Sequence, residues 1–174
     1  MIISKYLFNK KLLAIVIAFT LFVFVYIQND QKKTVNPTIL TAYDFTLLDR
    51  NGVSHTFGEI DKNFKVLHFW ASWCEPCIDE IPKLFDFIKT NQEKSLQLIL
   101  VSLDDNWVNA MSILSKFKMP RYVVSLLDSE SKVADAYGSY QFPESFLIND
   151  ELVILKKWVG PQEWSNNFLD GLIK

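Results

Sequence analysis

Two hydrophobic periods alternate along this 174-residue chain. Apolar runs of strand length cover Phe64–Trp70, Leu96–Leu103 and Tyr122–Leu127, and two further runs cover Ser145–Asn149 and Leu152–Trp158. The long continuous runs, rich in β-branched and aromatic residues, suit strands of a parallel sheet buried on both faces. Between the first two runs the period changes: Cys77, Ile78, Ile81, Leu84, Phe85 and Ile88 recur at helical spacing and define one buried face. Pro82 lies inside that pattern and is predicted to kink the helix rather than end it, because the apolar repeat continues to Ile88. A second helix is predicted from Asn106 to about Phe117, capped by Asp104 or Asp105 and ended before Pro120. A short third helix starts from a cap at Asp128 or Ser129 and closes at Gly138, and Pro161 opens a last helix containing Trp164, Phe168, Leu169 and Leu172. Ahead of all these, residues 45–57 read as a β-hairpin around Asn51-Gly52.

Strands alternating with helices imply an α/β sandwich. The turn at Asn149-Asp150-Glu151 is too short for a crossover, so the last two strands must be antiparallel and the central sheet mixed.

The N-terminus has a different pattern. Leu12–Ile27 holds sixteen residues without a charge, preceded by Lys5, Lys10 and Lys11. As a helix it covers about 24 Å at ~1.5 Å per residue, short of a hydrocarbon core unless the flanking lysines and Tyr26 reach the interface. A cleaved signal peptide and a buried soluble helix are the alternatives. The run leads into Gln28-Asn29-Asp30-Gln31 with neither a small-residue cleavage site nor a lipid-accepting cysteine, which favours an uncleaved anchor. The expected organisation is a short cytoplasmic segment 1–11, a single transmembrane anchor 12–28, a polar tether 29–38 and one domain 39–174. The lysine bias places that domain on the periplasmic or extracytoplasmic side of the cytoplasmic membrane.

Charge narrows the partners. The whole chain has 18 basic and 20 acidic residues; without the three lysines that precede the anchor, 15 basic residues face 20 acidic ones, a formal −5. With no basic patch interleaved with aromatics, nucleic acid is not an expected partner.

The chain has only two cysteines, Cys74 and Cys77, set between the first core strand and the first helix. A structural bridge closing so short a loop would stabilise little. A zinc site needs about four ligands, and two cysteines and two histidines at this spacing do not supply them, so no metal site is assigned. The spacing fits a dithiol that cycles with a disulfide. At a helix start, free amides and the helix dipole favour a thiolate at Cys74. Cys74 is therefore expected to be exposed and to attack first, and Cys77, one turn inside, to resolve the mixed disulfide. Pro76 is tolerated in the first turn, where its missing N–H costs nothing. A Cys-x-x-Cys after the first strand of a βαβ unit narrows the fold to the thioredoxin-like class.

The stretch Phe69-Trp70-Ala71-Ser72-Trp73-Cys74-Glu75-Pro76-Cys77, followed by Glu80, Pro82 and Leu84, resembles the active site of the thioredoxin superfamily. Within it the chain is most similar to the membrane-anchored TlpA/ResA/CcmG(DsbE)-like thiol–disulfide oxidoreductases. Tyr137-Gly138 and Phe142-Pro143-Glu144-Ser145-Phe146-Leu147-Ile148-Asn149 resemble that group's later signature, and residues 43–57 its leading hairpin. The likeness runs over about residues 40–170. It implies a thioredoxin-like fold with an N-terminal hairpin extension, Cys74 as nucleophile, Cys77 as resolving thiol and a redox-active Cys74–Cys77 disulfide. Pro143 then matches the cis-proline facing the disulfide, with the Phe142 backbone offered to substrate, and Trp73 the aromatic that shields the cysteines. Three residues bear on redox poise. Glu75, between the cysteines, opposes the thiolate and favours a reductant. His68 either relays a proton to Cys77 or is a core histidine bonded to backbone. Glu80 is either the group's pKa-tuning acid or an exposed helical residue. The bulky Ser139-Tyr140-Gln141-Phe142 departs from the group's glycine-rich turn and implies a differently shaped groove. His55 is assigned no role.

The function implied is reduction of disulfides in exported proteins, apocytochrome c among them, with recharging by a membrane electron-donor protein. No bound cofactor is implied, since the cysteines carry the electrons. An oxidase or isomerase would use the same site at a different potential. A metal-delivering assembly scaffold would use Cys74, Cys77 and a histidine. A peroxidase would need its cysteine in another local motif.

Overall fold

The computed structural model describes residues 40–173, apart from the side chains of residues 166 and 167, together with Val16, Ile17, Phe19, Thr20 and Leu21. Those five N-terminal residues are helical; the rest of the predicted anchor 12–28, the segment 1–11 and the tether 29–38 lie outside the described residues. Among the described residues no helix is long and apolar enough to cross a membrane. The chain divides into the units Met1–Thr38 and Ile39–Lys174.

The second unit is built on a five-stranded mixed sheet. A hairpin, β1 (Thr46–Leu48) with β2 (Ser54–Thr56), precedes β3 (Phe64–Trp70), α1 (Glu75–Thr90), β4 (Leu96–Ser102), α2 (Trp107–Leu114), β5 (Val123–Leu127), α3 (Lys132–Ala136), β6 (Glu144–Asn149) and β7 (Ile154–Val159). Sheet order is β5-β4-β3-β6-β7. The β3–β4 and β4–β5 pairs are parallel, and β6 runs antiparallel to both β3 and β7. This is the predicted α/β class, with the predicted antiparallel final pair.

The central position of β3 and β4 explains their unbroken apolar runs. Val66 to Trp70 and every residue of β4 are buried, because neighbouring strands take both edges and helices or the hairpin take both faces. Each aliphatic or phenyl side chain so buried contributes about 1.5–3 kcal/mol. Helix α1 lays Cys77, Ile81, Leu84 and Ile88 on the sheet, all without solvent exposure, and runs through Pro82 to Thr90.

Local caps differ from expectation at several points. The α2 cap is Asn106, whose side chain accepts the Asn109 N–H at 3.1 Å; Asp104 and Asp105 do not cap it. Asp128 serves α3 from a distance, its Oδ2 accepting from the backbone N–H groups of Val133 at 2.9 Å and Ala134 at 3.0 Å. In the hairpin, Asp49 Oδ1 accepts from Asn51 N at 2.8 Å and Val53 N at 2.9 Å, so the side chain organises a wider loop in which Gly52 takes φ +79°.

The predicted last helix is not formed. After Pro161 the chain is irregular as far as a single 3-10 turn, Asn166–Leu169, and Gly171 follows at φ +77°. Aromatic packing directs this segment instead. Trp164 and Phe168 pack ring to ring with a 4.7 Å centroid separation, and both contact Trp158 of β7 and Phe87 of α1.

Candidate active site

Cys74 is the N-cap of α1 and Cys77 lies in its first turn. They form a disulfide with S–S 2.03 Å and Cα–Cα 5.3 Å. The turn that delivers them is closed by Cys74 N–H donating to Ala71 O at 3.1 Å, and Ile78 N–H returns to Cys74 O at 3.1 Å to begin the helical ladder. Glu75 and Pro76 occupy the first two helical positions and are exposed, so water screens the Glu75 charge.

The expectation of an exposed Cys74 needs correcting for the oxidised state. Cys74 keeps 7% of its surface and Cys77 none. Joined to its buried partner, Cys74 is drawn against the core, yet it retains the only accessible edge of the pair.

The second sequence motif meets the first through Trp73. The Phe142–Pro143 peptide bond is cis, Pro143 is buried and Phe142 half-buried. Trp73 is 66% exposed, so it is not a core tryptophan, and its ring meets that of Phe142 edge-on at 6.2 Å. Exposed Tyr140 adds another aromatic to the same loop.

Glu80 is the most altered of the predicted tuning residues. It is buried at 2% exposure, which removes the reading of an exposed helical glutamate. Its Oε1 accepts from the indole N–H of Trp164 and from Gln162 N–H at 3.3 Å, and its Oε2 is buried without a partner. Burial pushes its carboxyl up to about 7, against the smaller opposing effects of those two hydrogen bonds and of Lys83.

His68 is fully buried on β3, opposite Ser145 of β6. Its Nδ1 lies 2.8 Å from Ser145 Oγ, so the partner is a hydroxyl rather than the expected backbone group, and Nε2 has no partner. Burial lowers its pKa to about 3, which keeps the ring neutral.

Sequence reasoning missed the residues that hold these groups. Trp164 and Gln162 reach Glu80 from more than 80 positions away, and Ser145 reaches His68 from 77. Only the register of β3 with β6 and the path of the C-terminal segment bring them in. Among the described residues no group of three or more His, Cys, Asp or Glu is arranged to hold a metal ion.

Residues 40–157 match the model of the AhpC/TSA family. The chain belongs to the AhpC/TSA family. Among relatives of this AhpC/TSA-family chain, the thiol-disulfide oxidoreductase ResA of Geobacillus thermodenitrificans is 28% identical over 118 residues, 68% of this chain and 67% of the relative. The sporulation thiol-disulfide oxidoreductase A of Bacillus subtilis is 31% identical over 107 residues, 58% of this chain and 65% of the relative. These alignments thus span about two thirds of each relative. The thiol:disulfide interchange protein DsbE of Allochromatium vinosum is 29% identical over 159 residues, 88% of this chain and 86% of that one. A crystal structure of a DsbE from Chlorobium tepidum superposes with a TM-score of 0.67 at 27% identity, over 76% of this chain and 92% of that one. The AhpC/TSA-family domain is accordingly a thioredoxin-like domain of thiol–disulfide oxidoreductase type.

Proposed function

We propose that this protein is a single-pass membrane-tethered reductant of exported proteins. Residues 12–28 anchor it in the cytoplasmic membrane, 29–38 form the tether and 39–174 work on the extracytoplasmic side. The observation that carries the reading is the Cys74–Cys77 disulfide at the start of α1, with Cys74 the only member that keeps accessible surface.

In the working direction the Cys74 thiolate attacks one sulfur of a substrate disulfide, which breaks, releasing one substrate thiolate. Cys77 then gives up its proton and attacks the Cys74 sulfur, releasing the second substrate thiolate and leaving Cys74–Cys77 oxidised. Two electrons pass to the substrate. Glu80 lies one helical turn beyond Cys77, and a carboxyl near 7 is suited to exchange that proton close to neutral pH. Phe142 and Trp73 flank the approach. A membrane electron-donor protein returns the two electrons. Apocytochrome c is the substrate suggested by the resemblance of the two motifs to cytochrome-maturation oxidoreductases.

The test is the reduction potential of Cys74–Cys77 in the full chain in detergent. A value near or below about −270 mV supports a reductant; one near −120 mV sinks that direction and leaves an oxidase or isomerase.

A further inference from the structure

The loop that presents Cys74 is held by a carboxylate from the segment after β4. Asp104 lies two residues past the end of β4 and is 1% exposed. Ser72 N–H donates to both of its oxygens, at 3.2 and 3.1 Å, and Ser72 Oγ donates to Oδ1 at 2.6 Å. Ser102 Oγ donates to Oδ2 at 2.7 Å and accepts the Asp104 N–H at 3.1 Å. One bond further in, Leu103 N–H donates to Trp70 O at 2.9 Å. The end of β4 thus grips the end of β3 just where the chain turns from Ala71 into Cys74.

We propose that Asp104 is a positioning residue of the redox centre: its buried carboxylate fixes the turn that sets Cys74 at the start of α1, and its negative charge opposes the Cys74 thiolate. This rests on the redox reading of Cys74 and Cys77. Ser72 precedes Cys74 by two residues, so their Cα atoms are at most about 7 Å apart. The carboxylate bonds the residue two positions before Cys74 and is itself buried, a setting where charges are screened less than in water. Among the described residues no Lys, Arg or His forms an ion pair with Asp104. The ionisable residues nearest in sequence are Glu75, Asp79 and Glu80 on α1 and Asp105 beside Asp104; His68, four residues before Ser72 on β3, is neutral. An anion held by hydrogen bonds but without a cation disfavours the thiolate and so the reduced pair, which makes the dithiol the better electron donor. Asp104 is thus an internal source of reducing power, whereas the charge of Glu75 is exposed to solvent.

Two variants of the full chain in detergent separate the two roles. Asp104→Asn keeps the shape: with the NH2 at the Oδ2 position, Ser102 Oγ can rotate to accept from it while Ser72 Oγ still donates to the retained oxygen. Equilibration with glutathione is expected to favour the dithiol about tenfold more than in the wild type, a rise of about 30 mV. The pH midpoint of Cys74 alkylation is expected to fall in parallel. Ser72→Ala keeps the charge and the backbone bond but drops the shortest contact. It is expected to slow exchange with glutathione at least threefold while leaving the equilibrium within twofold of wild type. The inference is overturned if Asp104→Asn leaves both the equilibrium and the alkylation midpoint unchanged, or if Ser72→Ala moves the equilibrium as far as Asp104→Asn does. If Asp104→Asn does not fold, an unaltered exchange rate in Ser72→Ala overturns it. A wild-type pair that fails to cycle at all would instead overturn the redox reading itself.

Discussion

The indole N–H of Trp164 donates to the carboxylate of Glu80 across 84 residues of sequence. This bond ties the irregular C-terminal segment to the helix that carries both cysteines. It also leaves Glu80 poised, with one oxygen served and the other buried and unserved.

Glu80 and His68 are expected to give opposite pH dependences of stability. Glu80 is raised from 4.5 to about 7, so the unfolded chain loses its proton first and stability falls as pH rises from about 4.5 to 7. His68 is lowered from 6.5 to about 3, so the unfolded chain gains a proton first and stability falls as pH drops from about 6.5 to 3. Each slope is at most about 1.4 kcal/mol per pH unit, and the two cancel where the windows overlap. Urea denaturation is expected to show little net contribution from this pair between pH 4.5 and 6.5 in the wild type. Glu80→Gln should then become more stable with rising pH in that interval, and His68→Gln less stable. Parallel slopes in the two variants would contradict the burial assigned to one of them.

Replacing Cys77 with Ser should trap the covalent intermediate. Cys74 alone keeps accessible surface, so Cys77→Ser is expected to accumulate mixed disulfides with added disulfide substrate on non-reducing gels. Cys74→Ser should accumulate at least tenfold less; equal trapping would reverse the assignment of nucleophile and resolving thiol.

Trp73→Ala separates recognition from stability. The side chain is 66% exposed and touches the Phe142 ring, so its removal should change unfolding free energy by no more than about 0.5 kcal/mol. Exchange with a protein disulfide is expected to slow several-fold, while exchange with glutathione stays near wild type. Equal slowing of both would assign Trp73 to the chemistry instead of the groove.

Lys157 clips the proline loop to the sheet. Its Nζ lies 3.1 Å from Glu144 Oε2, donates to Gly138 O at 2.9 Å and stands 5.1 Å from the Phe146 ring centroid. Glu144 is only 3% exposed, so Lys157→Met leaves a buried carboxylate without its cation. The lysine side chain is itself 35% exposed, which tempers the cost to roughly 1–3 kcal/mol. Adding Glu144→Gln should recover part of it in a double-mutant cycle by urea denaturation, and full additivity would deny the coupling.

Much of the fold was legible because its signals are local. The runs at Phe64–Trp70 and Leu96–Ser102 are continuous since both faces of β3 and β4 are covered, and the helical repeat from Cys77 to Ile88 records one buried face. The last helix was misread because Trp164, Phe168 and Leu169 lie at helical spacing yet answer to partners on α1 and β7. Asp104 looked like a helix cap because an acid before an apolar run usually is one; its true partners are Ser72, in the turn after β3, and Ser102, at the end of β4.

Residue type and spacing were enough for the α/β class, the placement of Cys74 and Cys77 between a buried strand and an amphipathic helix, and the second motif at Phe142-Pro143. Each depends on neighbours within one or two turns of chain, where residue type and spacing fix the outcome. Whether Glu80 is exposed, what His68 bonds to and what Asp104 holds follow from how the folded chain packs. Burial and hydrogen-bond partners depend on which distant segments pack together, and the carboxyl of Glu80 moves from 4.5 to about 7 for that reason alone.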